Sequence, residues 1–190
     1  MINGLKPLDR TLRWGMVGGG GTSQIGYSHR CAALRDNVYT LLAGALDVDA
    51  ERGRAFGEQL GIAPERCYAD YQTLFREEAQ RPDGIEVVSV TTPNNTHFAI
   101  TKAALEAGKH VVVDKPFTVT LSQARELESL AKHCGRILSV FHNRRWDSDF
   151  LTVSALINEG QLGEVCYFES HFDRFRPQVR QRWREQAGPG

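Results

Sequence analysis

The sequence lacks an excess of charge of either sign, and it lacks a long hydrophobic run. Its 190 residues carry 23 Lys and Arg against 23 Asp and Glu, so the formal net charge at pH 7 is zero. A balanced charge provides no global field to attract nucleic acid or an anionic membrane. No segment approaches the roughly 18 apolar residues of a membrane span, and residues 1–10 lack the apolar stretch of a signal peptide. The sequence therefore predicts a soluble protein with no nucleic-acid or membrane partner.

Cysteines are few and widely separated. The four are Cys31, Cys67, Cys134 and Cys166, and no two of them form a CxxC pair. This spacing argues against a zinc site and against a disulfide framework. The six histidines form no metal-binding pattern either. We therefore expect no metal and a reducing, cytoplasmic location.

What the sequence does contain is an alternation of short β-branched runs with amphipathic helical stretches. This alternation is typical of βαβ units that build a parallel sheet. The predicted strands are 13–17, 39–46, 86–90, 110–113 and 137–141, with a weaker one at 66–68. Asp49, Asp70 and Thr120 stand at predicted helix starts, and Gly61, Gly108 and Gly135 follow predicted helix ends. The fold class is therefore α/β, a Rossmann-type doubly wound parallel sheet.

The pattern of predicted elements changes after Phe141. A polar turn leads into a predicted helix over 148–158, a glycine break, a predicted strand over 165–172 and an Arg-rich tail. A lone strand has no partner for its backbone groups, so this part is not expected to form an independent domain. We predict a dinucleotide-binding domain over 1–143 and the truncated start of a C-terminal α/β domain over 144–190.

A run of four glycines follows the first predicted strand, and a helix is predicted to begin near Gln24. Glycines let a backbone turn tightly and approach a pyrophosphate, which the free N–H groups of a helix start then bind. We assign Gly18, Gly20 and Gly26 to the three glycines of the dinucleotide fingerprint and count Gly21 with them. Five residues rather than two separate the last pair, which indicates a three-residue insertion. The alternative is a flexible glycine turn without a ligand.

Asp47 ends the second predicted strand, 21 residues after Gly26. A carboxylate at this position can accept hydrogen bonds from the adenosine ribose, which favours NAD over NADP. Its alternative role is to initiate a helix, which Asp49 can do instead. Arg52 and Arg54 stand close enough in the sequence to keep NADP open.

Polar residues also follow later strands, and parallel strands place such residues along one edge of the sheet. The candidates after the predicted strands over 86–90 and 110–113 are Thr92, Pro93, Asn94, His97, Asp114 and Lys115. Pro116 restricts Lys115 to extended backbone, and a partly desolvated lysine in a cleft can hydrogen-bond a substrate hydroxyl. The alternatives are a surface ion pair of Lys115 with Asp114, and a helix-start or packing role for His97.

Together these residues resemble the Gfo/Idh/MocA family, named for glucose-fructose oxidoreductase and inositol dehydrogenase. The motifs that carry the resemblance are VGGGGTSQIGYSH, TTPNNTHFAITKAALEAGKHVVVDKPF, SVFHNRRWDSDF and GQLGEVCYFESHFDRFRP. The resemblance implies that Pro93 and Asn94 line the nicotinamide and that Lys115 is the lysine of the Glu-Lys-Pro signature. That signature reads Asp-Lys-Pro here, so Asp114 is one methylene shorter. The family's second signature, with its active-site histidine, would begin near Gly188.

The resemblance implies an NAD(P)-dependent dehydrogenase that transfers hydride between nicotinamide and a sugar, polyol or related secondary alcohol. The implied partners are that small-molecule substrate and, where the C-terminal sheet is present, further copies in a homo-oligomer. In this interpretation Lys115 is the catalytic residue. The alternative function is a catalytically incomplete dinucleotide-binding fragment or a cofactor-sensing module.

Overall fold

A computed structural model describes residues 9–178 of the chain. They form five strands and six α-helices, with short 3₁₀ turns between some of them. In chain order these are β1 (Leu12–Gly18), α1 (Gln24–Leu34), β2 (Tyr39–Ala45), α2 (Ala50–Gln59), α3 (Tyr71–Gln80), β3 (Val87–Thr91), α4 (His97–Glu106), β4 (His110–Val113), α5 (Leu121–Cys134), β5 (Leu138–Val140) and α6 (Ser148–Asn158).

The five strands form one sheet in the order β2-β1-β3-β4-β5, and all neighbouring pairs are parallel. Helices connect successive strands, so the predicted Rossmann-type α/β fold is confirmed. The prediction of a weaker strand at 66–68 is wrong. Cys67 makes a single parallel bridge to Gly44, beside β2, because the 3₁₀ turn over Pro64–Arg66 leaves it no length to pair.

The sheet is covered on both faces. Along β1, Trp14 and Met16 belong to one buried cluster, whereas Val17 belongs to another. Successive side chains of a strand point to opposite faces, so the two clusters are the cores on the two sides of the sheet. This arrangement accounts for the near-continuous apolar composition of the strands, which is typical of parallel sheets buried on both faces.

The capping residues act as the sequence predicts. Asp49, Asp70 and Thr120 each accept a hydrogen bond from the backbone N–H three residues on, which satisfies a donor that the helix itself leaves unpaired. Gly61 and Gly135 have φ of 79° and 62°, in the left-handed region where glycine closes helices without a Cβ penalty.

The described residues after Phe141, 142–178, belong to a second compact unit. It begins with a 3₁₀ turn over Asn143–Trp146 and continues into α6, where the predicted helix over 148–158 is confirmed. The predicted strand over 165–172 is wrong, because these residues have no regular secondary structure. In the described part of this unit no second strand is present to pair with them, and an unpaired strand leaves its backbone groups unsatisfied. The predicted Arg-rich tail runs past Gln178, outside the described residues.

An ion pair between Arg10 and Glu86 joins the segment before β1 to the segment before β3. Arg10 donates two hydrogen bonds to the Glu86 carboxylate, at 2.6 and 2.7 Å. These bonds, with a third from the backbone N–H of Arg13, lower the pKa of Glu86 from 4.5 to about 2.

We expect loss of this ion pair to contribute to the decrease in the stability of the fold at acid pH. A carboxyl whose pKa is lower in the folded state stabilises the fold above its unfolded pKa, and that stabilisation disappears as the pH falls towards the folded value. Urea unfolding of the wild type and Glu86→Gln from pH 6 down to about pH 2 tests this. The wild type should be more stable at the upper end, and the difference should shrink below the unfolded pKa. A difference that is constant with pH would contradict it.

Candidate functional site

The loops that carry the candidate residues all leave the same edge of the sheet. Gly18 at the end of β1 pairs with Thr91 at the end of β3, and Val90 pairs with Val113 at the end of β4. Val113 in turn pairs with Val140 at the end of β5. Because the strands are parallel and in this register, the glycine loop, the Thr92–His97 loop and the Asp114–Pro116 loop begin side by side. Ligands of open α/β sheets bind at this edge.

The glycine loop is a tight turn that packs on the first turn of α1. Gly18 and Gly19 have φ of 75° and 76°, which only glycine adopts readily. A Cβ on Gly26 would overlap the backbone of Gly19, so Gly26 is the residue that allows this close packing. Ser23 caps the helix by accepting a hydrogen bond from the N–H of Gly26 at 3.2 Å. The fingerprint assignment overlooked Gly19, which the unbroken run of four glycines could have indicated.

The other two glycines face different surroundings. Gly20 donates a backbone hydrogen bond to Leu46 O at 3.0 Å, which brings the loop beside the end of β2. A Cβ on Gly21 would meet no atom within 4 Å, so this glycine borders open space. An exposed glycine turn at a helix N-terminus fits a phosphate group, whose charge the helix dipole and free N–H groups favour.

Asp47 is half-buried at the end of β2, beside the glycine loop. Asp49 caps α2, so the helix-initiating role is filled by Asp49 and not by Asp47. The Asp47 carboxylate accepts hydrogen bonds from the Arg52 guanidinium at 2.9 Å and from the N–H of Asp49 at 3.0 Å. These two bonds, led by that of Arg52, hold the pKa of Asp47 below its usual value. The carboxylate is therefore ionised and fixed in place at neutral pH.

His97 ties two of the loops together from inside the protein. It is fully buried, and its Nδ1 lies 2.8 Å from Pro116 O while its Nε2 lies 2.9 Å from Thr92 O. With both ring nitrogens facing backbone carbonyls, the imidazole spans the loops after β3 and β4. Its surroundings are those of a residue that positions the loops. The packing alternative weighed for His97 therefore describes its contacts.

The loop after β3 presents its polar groups at the surface. The Thr92 hydroxyl is half-buried and accepts a hydrogen bond from the Thr96 hydroxyl at 2.7 Å. Pro93 is exposed and Asn94, half-buried, begins a 3₁₀ turn that runs directly into α4. These three residues stand between the glycine loop and the loop after β4, at the centre of the edge.

Asp114 and Lys115 behave differently although they are adjacent. Asp114 is buried, and its Oδ1 lies 3.7 Å from Nε2 of His29 on α1, so the alternative of a surface pair with Lys115 does not describe the contact that Asp114 makes. Lys115 is exposed, with a cis peptide bond to Pro116. Among the described residues Lys115 therefore lacks the partial burial that the sequence analysis expected for it.

Two buried polar residues near the site were missed by the sequence reasoning. His29 and Arg30 lie three and four positions after Gly26, and the three residues form the buried face of α1. Arg30 donates a hydrogen bond to Gly19 O at 2.7 Å, and its guanidinium lies 5.2 Å from the centre of the Phe56 ring. Burial lowers the pKa of Arg30. The helical spacing from Gly26 was a signal that could have found both residues.

The described residues offer neither a metal centre nor a membrane span. Within residues 9–178, no group of three or more His, Cys, Asp or Glu side chains is arranged to hold a metal ion. No helix in the same range has the length and apolar character needed to cross a membrane.

Comparison with known proteins gives two family matches. A family described as "oxidoreductase family, NAD-binding Rossmann fold", of the Gfo/Idh/MocA group, matches residues 12–142. The corresponding "C-terminal alpha/beta domain" matches residues 154–190. The first match contains the glycine loop, Asp47 and the loops after β3 and β4.

Individual relatives show the same likeness. An inositol dehydrogenase homologue of Azotobacter vinelandii, solved with NADH and myo-inositol, is 55% identical with a TM-score of 0.81, over 86% of this chain and 43% of that one. The uncharacterized oxidoreductase YfiI of Bacillus subtilis is 51% identical over 87% of this chain and 42% of its own length. The scyllo-inositol 2-dehydrogenase (NADP(+)) IolW of the same organism is 46% identical over 65% of this chain and 35% of its own length. The chain thus spans less than half the length of these relatives.

Proposed function

Because the chain belongs to the Gfo/Idh/MocA oxidoreductase family, we propose that it is the cofactor-binding part of an NAD(P)-dependent dehydrogenase of sugars or polyols. The observation that carries this proposal is the common edge of the sheet, at which the strands that precede the glycine loop, Asp47 and Lys115 all end. The relatives named for inositol support a polyol as the substrate class. We place the cofactor domain at residues 1–143 and the start of the substrate domain at 144–190.

In this proposal each loop has one task. The loop with Gly18, Gly20, Gly21 and Gly26 accommodates the pyrophosphate at the start of α1. Thr92, Pro93 and Asn94 line the nicotinamide from the loop after β3. The buried residues His97 and Asp114 position the loops after β3 and β4. The bound nicotinamide supplies hydride acceptance or donation. Lys115, exposed at the end of β4, hydrogen-bonds the substrate hydroxyl and holds or moves its proton.

Asp47 binds the adenosine ribose in this proposal and sets the preference for NAD. Its fixed negative charge repels the additional phosphate of NADP. Arg52 partly offsets that charge through the 2.9 Å hydrogen bond, which keeps NADP as a weaker ligand.

Titration of NADH and NADPH by fluorescence tests the cofactor assignment. We expect NADH to bind more tightly than NADPH, and Asp47→Ala to weaken NADH binding by about tenfold to a hundredfold, the loss expected for hydrogen bonds to a charged group. Asp49→Ala is the matched control. It removes the α2 cap, which costs about 1 kcal/mol of stability, and leaves the NADH affinity unchanged. Equal losses in the two variants would remove Asp47 from the ribose site.

The reaction is then assayed as NAD reduction with a panel of polyols that includes myo-inositol and scyllo-inositol. Turnover with one of them would support the dehydrogenase. Cofactor binding without turnover would support the alternative, a dinucleotide-binding module. Binding of neither dinucleotide would defeat both functions.

We further propose a reducing cytoplasm as the compartment. All four cysteines are free thiols, which suits a reducing environment. We also propose that the protein forms a homo-oligomer where the complete C-terminal sheet is present.

A further inference from the structure

Two buried histidines from different helices meet the loop that carries Lys115. His97 on α4 contacts Pro116 O, on the C-terminal side of Lys115. His29 on α1 faces the carboxylate of Asp114, on the N-terminal side of Lys115. The exposed lysine is thus flanked by two residues that contact buried histidines, and these histidines come from two different helices.

The buried side chains of His29 and Asp114 approach each other without forming a hydrogen bond. Their side chains are 2% and 6% exposed, and 3.7 Å separates His29 Nε2 from Asp114 Oδ1. Neither of these two atoms has a hydrogen-bond partner among the described residues. A buried carboxylate oxygen without a donor is costly, and a shift of a few tenths of an ångström would convert the approach into a hydrogen bond.

The surroundings leave each side chain little freedom. The His29 ring packs against Phe141 with the ring centres 3.8 Å apart and the ring planes inclined by 34°, which limits rotation of the imidazole. The neighbouring cation, Arg30, is engaged by Gly19 O and is directed to the glycine loop. His29 is therefore the side chain of α1 that is placed to meet the Asp114 carboxylate.

We propose that His29 is a positioning residue for Lys115 and acts through Asp114. By holding the carboxylate of Asp114 inside, its imidazole N–H fixes the start of the loop after β4 and directs Lys115 outward to the substrate. Because His29 lies one turn after Gly26, the same contact couples the glycine loop to the lysine. This inference rests on the function proposed for Lys115.

The first test measures the His29–Asp114 contact without cofactor. Urea unfolding is compared for the wild type, His29→Leu, Asp114→Asn and the double variant, with His133→Leu on the exposed face of α5 as the control. We expect His29→Leu to lower the folding equilibrium constant by about tenfold or more, because it removes the imidazole that faces the buried Asp114 carboxylate. In the Asp114→Asn background, His29→Leu should lower the folding equilibrium constant much less, because the Asp114 carboxylate that it would leave without a partner is no longer present. Additive losses would overturn the contact.

The second test follows Lys115 itself. Labelling of lysines with trinitrobenzenesulfonate, read by peptide mass spectrometry, gives a rate for Lys115 and for the exposed Lys132 as an internal reference. In the wild type we expect NADH to slow labelling of Lys115 and not of Lys132. His29→Leu should remove this protection at NADH concentrations that saturate the variant, and His29→Gln, which retains an N–H donor, should restore it.

The outcomes separate this inference from the proposed function. Full protection of Lys115 in His29→Leu would overturn the positioning role. An absence of NADH binding by the wild type would contradict the proposed function, while the unfolding comparison, which needs no cofactor, would still confirm or overturn the His29–Asp114 contact.

Discussion

Replacing Arg66 with methionine is expected to lower the free energy of unfolding by about 3 to 5 kcal/mol, the cost of leaving a buried charge without its partner. The stranded group is Glu78, whose side chain is completely buried and is paired with Arg66 through two hydrogen bonds. Tyr68 and the N–H of Ile85 also donate to this carboxylate, both at 2.9 Å. Methionine has a similar length but cannot donate, so the carboxylate would lose its compensating charge.

A second arginine, which is more exposed than Arg66, supplies the control for this prediction. Arg81 and Arg66 both form an ion pair with Asp83, but the Arg81 side chain is 36% exposed whereas that of Arg66 is 6% exposed. Arg81→Met should change the free energy of unfolding by less than about 1 kcal/mol, as is usual for exposed pairs. Urea denaturation followed by tryptophan fluorescence measures both variants. Similar costs for the two would show that burial of the pair does not determine its contribution.

The same network has a spectroscopic signature. Burial and the hydrogen bond to Glu78 raise the pKa of Tyr68 to about 12. The network lies before β3, at the edge of the sheet opposite the glycine loop, because it bonds Ile85. Arg66→Met should therefore alter stability and the tyrosine titration without changing the affinity for NADH in the folded fraction.

The sequence predicted the parallel sheet and the site edge because both depend on local patterns. Apolar runs marked the strands that are buried on both faces, and Asp49, Asp70 and Thr120 marked helix starts that need one side-chain acceptor. Once the strands are parallel, the residues after them are brought together by topology alone. This is why the glycine loop and Lys115 could be placed on one edge before any contact was known.

The parts that could not be predicted depend on partners that are distant in the sequence. The predicted strand over 165–172 has a suitable composition, but a strand forms only where another backbone pairs with it. His97 could not be distinguished from a ligand-binding histidine until its two carbonyl partners, Thr92 O and Pro116 O, were located. His29 was missed because its contact with Asp114 joins residues 85 positions apart.

Replacing Lys115 with alanine is expected to lower kcat for polyol oxidation by about 10² to 10⁴, the range for loss of a group that assists proton transfer. The affinity for NADH should remain unchanged, because the proposed pyrophosphate and ribose contacts come from the loops after β1 and β2. Stopped-flow reduction of NAD together with NADH titration measures both quantities. Lys132→Ala, on the exposed face of α5, is the control for removal of a lysine.

A second experiment tests whether Lys115, and not Lys109, is the lysine that acts on the substrate hydroxyl. Lys109 is the lysine that electrostatics alone would select, because it is buried and burial lowers its pKa. It precedes β4, however, and its ammonium donates to Glu78 O in the network at the opposite edge of the sheet. Lys109→Met should therefore reduce stability and spare kcat, whereas Lys115→Ala should do the reverse. If Lys109→Met were the variant that lost turnover, the position of a lysine at the carboxyl end of its strand would not be what makes it catalytic.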